Sequence, residues 1–185
     1  MLNRQLLTKY SPGFGKETPI TISKGKVHDY LGMTIDYAKD GKVMFKMDNF
    51  VERLLDEAPA DMQSNTAATP AAGHIFQVNK EGKKLDSKTV DLFHHLVAKL
   101  LYLRKRVRPD LHMAVAFLTT RVTSPDKDVY KKLGRCIAYL WATKELFLTL
   151  EADSDGRIRW WVDASFAVHP DMKSRTGAAL TMSTR

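Results

Sequence analysis

The sequence predicts an α+β protein, with strands opening and closing the chain and helices filling its middle. Two periodicities and one gap support this. Apolar residues alternate with period two between about residues 26 and 48 and again beyond 145, the repeat of a half-buried strand. Between residues 87 and 144 they recur every three or four positions instead, which aligns them along one helix face. Residues 59–86, rich in Ala, Thr, Gly, Pro and Lys, follow neither period.

In chain order, "GKVHDYLGMTIDYAKDGKVMFKM" places Leu31, Met33, Ile35 and Tyr37 on one strand face. Val43, Phe45 and Met47 repeat the pattern on a second strand. Asp40-Gly41 lies between them, and glycine supplies the positive φ of a tight hairpin turn. Gly32 then falls inside the first strand. Glycine there marks either a bulge or a place where another backbone comes close. Asp48 reads as the N-cap of a helix through "NFVERLLDEA", with Phe50/Leu54 and Val51/Leu55 as i,i+4 apolar pairs. Pro59 ends it. Residues 1–58 are thus expected to form a hairpin-and-helix unit, and 59–86 a long, exposed and mobile connection.

From Ser87, a stripe of Val90, Phe93, Leu96, Val97, Leu100 and Leu101 predicts a helix running into "LRKRVRP". Pro109-Asp110 breaks it and starts a second helix through Arg121. Ser124 as N-cap, Pro125 at N1 and Asp126 and Asp128 in the first turn announce a third. Its stripe is Val129, Leu133, Ile137, Leu140 and Trp141. Residues 87–144 are therefore a helical unit. Beyond Lys144, "LFLTLEA", a turn at Asp155-Gly156, "IRWWVDA" and "GAALTM" predict three strands, so 145–185 form a last unit. No helix follows to cover its second face, which suggests truncation.

Lys and Arg number 29 against 21 Asp and Glu, a formal charge of +8. Such an excess favours a polyanionic partner, a phosphate backbone first and an acidic membrane surface next. The one cysteine, Cys136, excludes an internal disulfide and a multi-cysteine zinc site. No apolar run approaches the roughly 20 residues needed to span a bilayer. The opening "MLNRQLLTKY" has no signal-peptide core. A soluble intracellular protein with no membrane partner is expected.

Several local patterns carry little chemistry. Gly13-x-Gly15-Lys16 falls short of a phosphate loop, because Glu17 stands where a hydroxyl should follow. His94 and His95 are adjacent on a helix and point about 100° apart, so they lack the i,i+4 spacing of a helical zinc pair. The six His residues are scattered and no Ser sits on a glycine-flanked elbow, so no Ser/His/Asp arrangement emerges. Lys99, Arg104, Lys105, Arg106 and Arg108 gather at the end of a helix, where they either offset the macrodipole or bind phosphates. Lys131, Lys132 and Arg135, then Arg157, Arg159, Lys173 and Arg175, continue the excess. A positive stripe over several elements favours a polynucleotide over a single anion. Asp163, at the end of "IRWWVD", is either a turn former or a metal ligand.

The run from Phe93 to Glu145 resembles the block between polymerase palm and ribonuclease H in copia-type retrotransposon reverse transcriptases. Leu96 to Leu103, Arg108-Pro109-Asp110, Ala114-Val115, Arg121, Pro125 and Tyr139-Leu140 stand in the family's order. Upstream, "YLGMTID" is similar to the family's "FLG" hairpin, the primer grip. Downstream, "WWVDASFAVHPDMKSRTG" is similar to the family's opening strand and turn of ribonuclease H.

The resemblance implies that 1–58 are the end of the palm, 87–144 a helical thumb and connection, and 145–185 the first strands of a truncated ribonuclease H-like mixed sheet. It implies that Tyr30, Leu31 and Gly32 meet the primer, with the basic cluster on the nucleic-acid backbone. Asp163 becomes the first ligand of a Mg²⁺ site. The family's polymerase aspartates lie on a "YVDD"-type hairpin absent from these 185 residues. Mg²⁺ is therefore expected in a full-length parent, and the chain alone is expected to bind none and to be inactive. The implied partners are an RNA–DNA hybrid or duplex nucleic acid and the rest of a polyprotein. The implied location is the cytoplasm, inside a virus-like particle, or the nucleus. The other reading is a non-catalytic nucleic-acid-binding relic or domesticated module.

Overall fold

The computed structural model describes residues 23–63, 66–153, 156–167, 172 and 174–182. The Gly13–Lys16 turn, Asp155, Asp171, Lys173 and the side chain of Arg175 lie outside the described residues. The protein is mixed α+β with antiparallel sheets, as the two periodicities imply.

Four strands form the first sheet: β1 (Val27–Tyr30), β2 (Met33–Asp36), β3 (Lys42–Lys46) and β4 (Leu148–Glu151), in the order β1-β2-β3-β4. The expected hairpin is β2–β3, with Ile35 opposite Phe45 and Gly41 at φ +73° in the connection. The strand expected before it is in fact two. Tyr30 pairs with Met33, so Leu31 and Gly32 are the centre of a two-residue turn joining β1 to β2. Both have positive φ, +50° and +73°, the combination that matches the twist of paired strands. Period-two alternation missed this because a two-residue turn leaves the count in phase.

Helix α1 (Asp48–Glu57) buries Val51, Leu54 and Leu55. Its N-cap position is Met47, with no side-chain cap bond, so Asp48 is the first helical residue rather than the cap. Its carboxylate still stands at the positive end of the helix dipole. The connection after α1 is neither bare nor wholly exposed. It begins with a short helix, α2 (Ala60–Gln63), and Gln63 donates to the Leu55 and Ala58 carbonyls that end α1. Met62 and Ile75 reach the core. Lys84 bridges to Asp126, and the Lys132 ammonium donates to the Gln77 carbonyl. Isolated apolar residues and backbone pairings pin this segment, and neither has a period to read.

Helix α3 (Ser87–Arg104) starts at Asp86, whose carboxylate accepts from the Thr89 N–H at 3.1 Å. Its buried face is Phe93, Leu96, Val97, Leu100 and Leu103. A 3₁₀ turn at Pro109–Leu111 leads into α4 (His112–Thr119), followed by α5 (Lys127–Ala142). The α5 cap is Asp126, not Ser124. Its Oδ1 accepts from the N–H groups of Asp128 and Val129 at 2.9 and 2.8 Å. A Cβ on Gly82 would lie 2.7 Å from Asp126 Oδ2, so the connection passes this cap only as glycine. Within α5 the expected stripe is buried at Val129, Leu133, Ile137 and Leu140, while Trp141 is exposed.

The largest change from expectation concerns residues 145–151. β4 pairs with β3, Phe45 opposite Leu148 and Lys42 opposite Glu151. Lys42 and Glu151 also make an ion pair at 2.7 Å. The strand assigned to the last unit therefore closes the first sheet. β5 (Arg159–Ser165) and β6 (Arg175–Thr181) form a separate two-stranded antiparallel ribbon. Local sequence says that 148–151 is a strand; which edge it joins is set by how the helices between β3 and β4 pack and return the chain.

Candidate nucleic-acid interface

The basic cluster at the end of α3 sorts by where each side chain goes. Lys99 lies within the helix and its ammonium contacts Glu57 on α1, while His95 Nε2 lies 2.7 Å from the same oxygen. The Lys99 hydrogen bond first, and that of His95 second, hold the Glu57 carboxyl below the usual range. Lys99 therefore ties α1 to α3. Arg104 Nη1 donates to the His112 carbonyl at 2.9 Å, holding the start of α4.

Arg108 is a correction. It is 1% exposed. Its Nε donates to Asp110 Oδ1 at 3.0 Å and its Nη2 to Asp110 Oδ2 at 2.8 Å, a bidentate pair. Nη1 and Nη2 also reach the Thr143 carbonyl and hydroxyl at 3.0 and 2.7 Å. A guanidinium leaves water this completely only when a planar fork satisfies its N–H groups. Arg108 joins the α3–α4 corner to the end of α5, and an external phosphate cannot reach it.

Two cations of the cluster make no bond to another element, although Arg106 is half-buried and donates to the Tyr102 carbonyl at 3.4 Å. Lys105 is exposed and has no partner among the described residues. Arg106 lays its guanidinium over the Tyr102 ring, 3.5 Å from the centroid, a stacking that leaves its charge in place. Tyr102 also joins this helix end to the β1–β2 turn. Its hydroxyl donates to the Leu31 carbonyl at 2.7 Å, and its ring packs on Phe50 at 5.2 Å. The β1–β2 turn is thereby held at the end of α3, beside Arg106.

Tyr30 and Leu31 are 61% and 56% exposed on that turn. Leu31 holds φ +50°, a left-handed conformation that costs a non-glycine residue roughly 1–2 kcal/mol. A strained, exposed leucine whose carbonyl is tied down is the kind of outlier that accompanies binding sites. Gly32, predicted to allow close approach within a strand, is instead explained by the turn, since only the Tyr102 hydroxyl lies as near as 4.0 Å to a Cβ there. Sequence reading missed Tyr102. Its one signal is an aromatic residue a single step off the buried stripe.

Asp163 lies on β5 opposite Gly177, exposed to solvent. Among the described residues no three acidic, histidine or cysteine side chains group together as a metal site would require. Mg²⁺ prefers an octahedron of oxygens and loses water reluctantly. One exposed carboxylate across from a glycine does not fit it. Also among the described residues, no helix is long and apolar enough to cross a membrane.

Comparison with known proteins gives a coarse identity. The chain is 22% identical over 160 residues to a Ty5-1 transposon protein of Saccharomyces cerevisiae, covering 85% of this chain and 50% of that one. It is 27% identical over 169 residues to the retrovirus-related Pol polyprotein from transposon TNT 1-94 of Nicotiana tabacum. That match covers 86% of this chain and 12% of the polyprotein. Both of these relatives are transposon proteins. The chain thus spans half the length of one curated relative and about an eighth of the other. No protein-family model and no solved structure matches it.

Proposed function

We propose that this chain holds nucleic acid as part of a retrotransposon reverse transcriptase, with its contact surface at the end of α3. One observation carries the reading: the Tyr102–Leu31 hydrogen bond, which joins two segments 71 residues apart. It sets an exposed tyrosine and leucine near Arg106, which stacks on Tyr102, with exposed Lys105 next to it in the chain. Lys105 and Arg106 would take backbone phosphates, which positions a duplex without reading its sequence. Tyr30 offers a ring on which an unpaired base at a strand end stacks. Kinship with a Pol polyprotein supports the assignment, as do the motifs from Phe93 to Glu145. In this reading 23–47 with β4 belong to a palm, α3–α5 to a thumb and connection, and β5–β6 to ribonuclease H. Mg²⁺ chemistry is left to a carboxylate set that the described residues do not make up.

The test is fluorescence anisotropy with a labelled RNA–DNA hybrid and a labelled DNA duplex across a salt series. Binding with little sequence preference is expected, and log affinity should fall linearly with log salt. Replacing Lys105 and Arg106 by Ala should reduce the duplex slope by about 0.9 per lost contact, hence by roughly 2. Absent binding at low salt, or binding indifferent to salt, would overturn the reading.

A further inference from the structure

The outward face of α5 carries a second basic feature. Its inward face is taken by Val129, Leu133, Ile137 and Leu140, so Lys127, Lys131 and Arg135, spaced i, i+4 and i+8, share the exposed side. With 1.5 Å of rise per residue they stand about 6 Å apart and span about 12 Å. The connection and α2 pack beside this ridge and form a cleft on each flank. One, of about 350 Å³, is walled by Asp61, Thr66 and Ala67. The other, of about 260 Å³, is walled by Pro70, Ala72, His74 and the helix's own Asp128. Lys131 and Arg135 line both.

The acidic residues nearby do not neutralise the ridge. A solvated basic helix face is usually interleaved with i,i+4 acids. Here the acid on the helix, Asp128, pairs with Lys132 at 3.3 Å. Lys132 is itself buried, with its ammonium donating to the Gln77 carbonyl. Asp61 is one carboxylate against two cations in the larger cleft. Arg135 Nη2 donates to Thr69 Oγ1 at 3.0 Å, which orients the guanidinium and leaves most of its N–H groups open. Lys127 and Lys131 have no side-chain partner among the described residues.

We infer that the α5 ridge is a second phosphate-backbone contact, taking one strand of a nucleic acid along its length. A compact anion is held by donors that converge on one point. Three cations over about 12 Å, two of them lining open clefts, instead span three or four steps between successive phosphates, at about 3.4 Å of axis per phosphate of one strand. The inference rests on the nucleic-acid reading above and adds a footprint separate from the end of α3.

The experiment uses the full chain and the labelled DNA duplex. Lys127→Ala/Lys131→Ala/Arg135→Ala should lower the slope of log affinity against log salt by roughly 2–3, at about 0.9 per contact. Lys131→Arg/Arg135→Lys should keep the wild-type slope. The double variant Lys127→Ala/Lys131→Ala keeps the Arg135–Thr69 bond; it should lose roughly 2 and serves if the triple variant unfolds. An unchanged slope in folded alanine variants, while the wild type binds, overturns the ridge alone. No duplex binding by the wild type overturns the nucleic-acid reading and the ridge with it.

Discussion

Arg108 and Asp110 make the most consequential pair at the scale of single residues. Burial works against the Asp110 carboxylate, but the hydrogen bonds and charge of Arg108 outweigh it and hold the carboxyl below its ordinary value of 3.8. Arg108 is buried while the Asp110 side chain is a third exposed, so losing the carboxylate costs less than the roughly 3–5 kcal/mol of a fully buried pair, about 2 kcal/mol. Asp110→Ala should therefore lower the unfolding free energy in urea by about that amount, and an effect under roughly 1 kcal/mol would deny the pair its structural role. A depressed carboxyl stabilises fully above its unfolded value and loses that contribution as pH falls through the folded one. The stability gap between wild type and Asp110→Asn should accordingly be widest at neutral pH and narrow below about pH 4. Cys136 behaves oppositely. Complete burial pushes its thiol up to about 12, so almost no thiolate exists at neutral pH. Modification by a thiol reagent should proceed only as fast as the protein opens; fast labelling of the folded chain would contradict its place in the core.

At the scale of elements, the β1–β2 turn and the β5–β6 ribbon are the parts under least secure control. Leu31 and Gly32 hold the two positive φ values of the turn, and Asn-Gly is the sequence such turns prefer. Leu31→Asn should stabilise the fold by several tenths of a kcal/mol, and Gly32→Ala should destabilise it by about 1 kcal/mol or more. Thermal melts of the two variants decide this, and equal shifts in one direction would mean that the turn is not strained. Leu31→Asn would also separate stability from binding, because it removes an exposed apolar side chain from the proposed contact. The ribbon exposes Trp160 and Trp161 at 67% and 61%, and a two-stranded unit is marginal in water without further strands or a covering helix. Its amides should exchange with deuterium far faster than those of α3 and α5. Equal protection would show that the ribbon is as firmly held as the core.

At the scale of the whole molecule, helices α3–α5 with α1 form the core, and the sheet is completed only when the chain returns from α5 to lay β4 on β3. The stripes from Val90 to Leu101 and from Val129 to Leu140 were readable because helical burial repeats every three to four residues. The β2–β3 hairpin was readable for the same reason at period two. Fold class and the buried faces of α1, α3 and α5 thus follow from local order. The basic excess was also readable, although its division was not. Five neighbouring cations carry the same charge, yet Arg108 is buried, Lys99 and Arg104 tie helices together, Arg106 stacks half-buried on Tyr102 and Lys105 is exposed. No local pattern encodes that Tyr102 reaches Leu31, that β4 joins β3, or that 66–77 wall the α5 ridge. Periodicity reports which face of an element is apolar, because burial acts on each residue through its own spacing. Partner choice reports which faces meet, and that depends on shape and charge matched across 40 to 110 residues of chain, which only packing in three dimensions brings together.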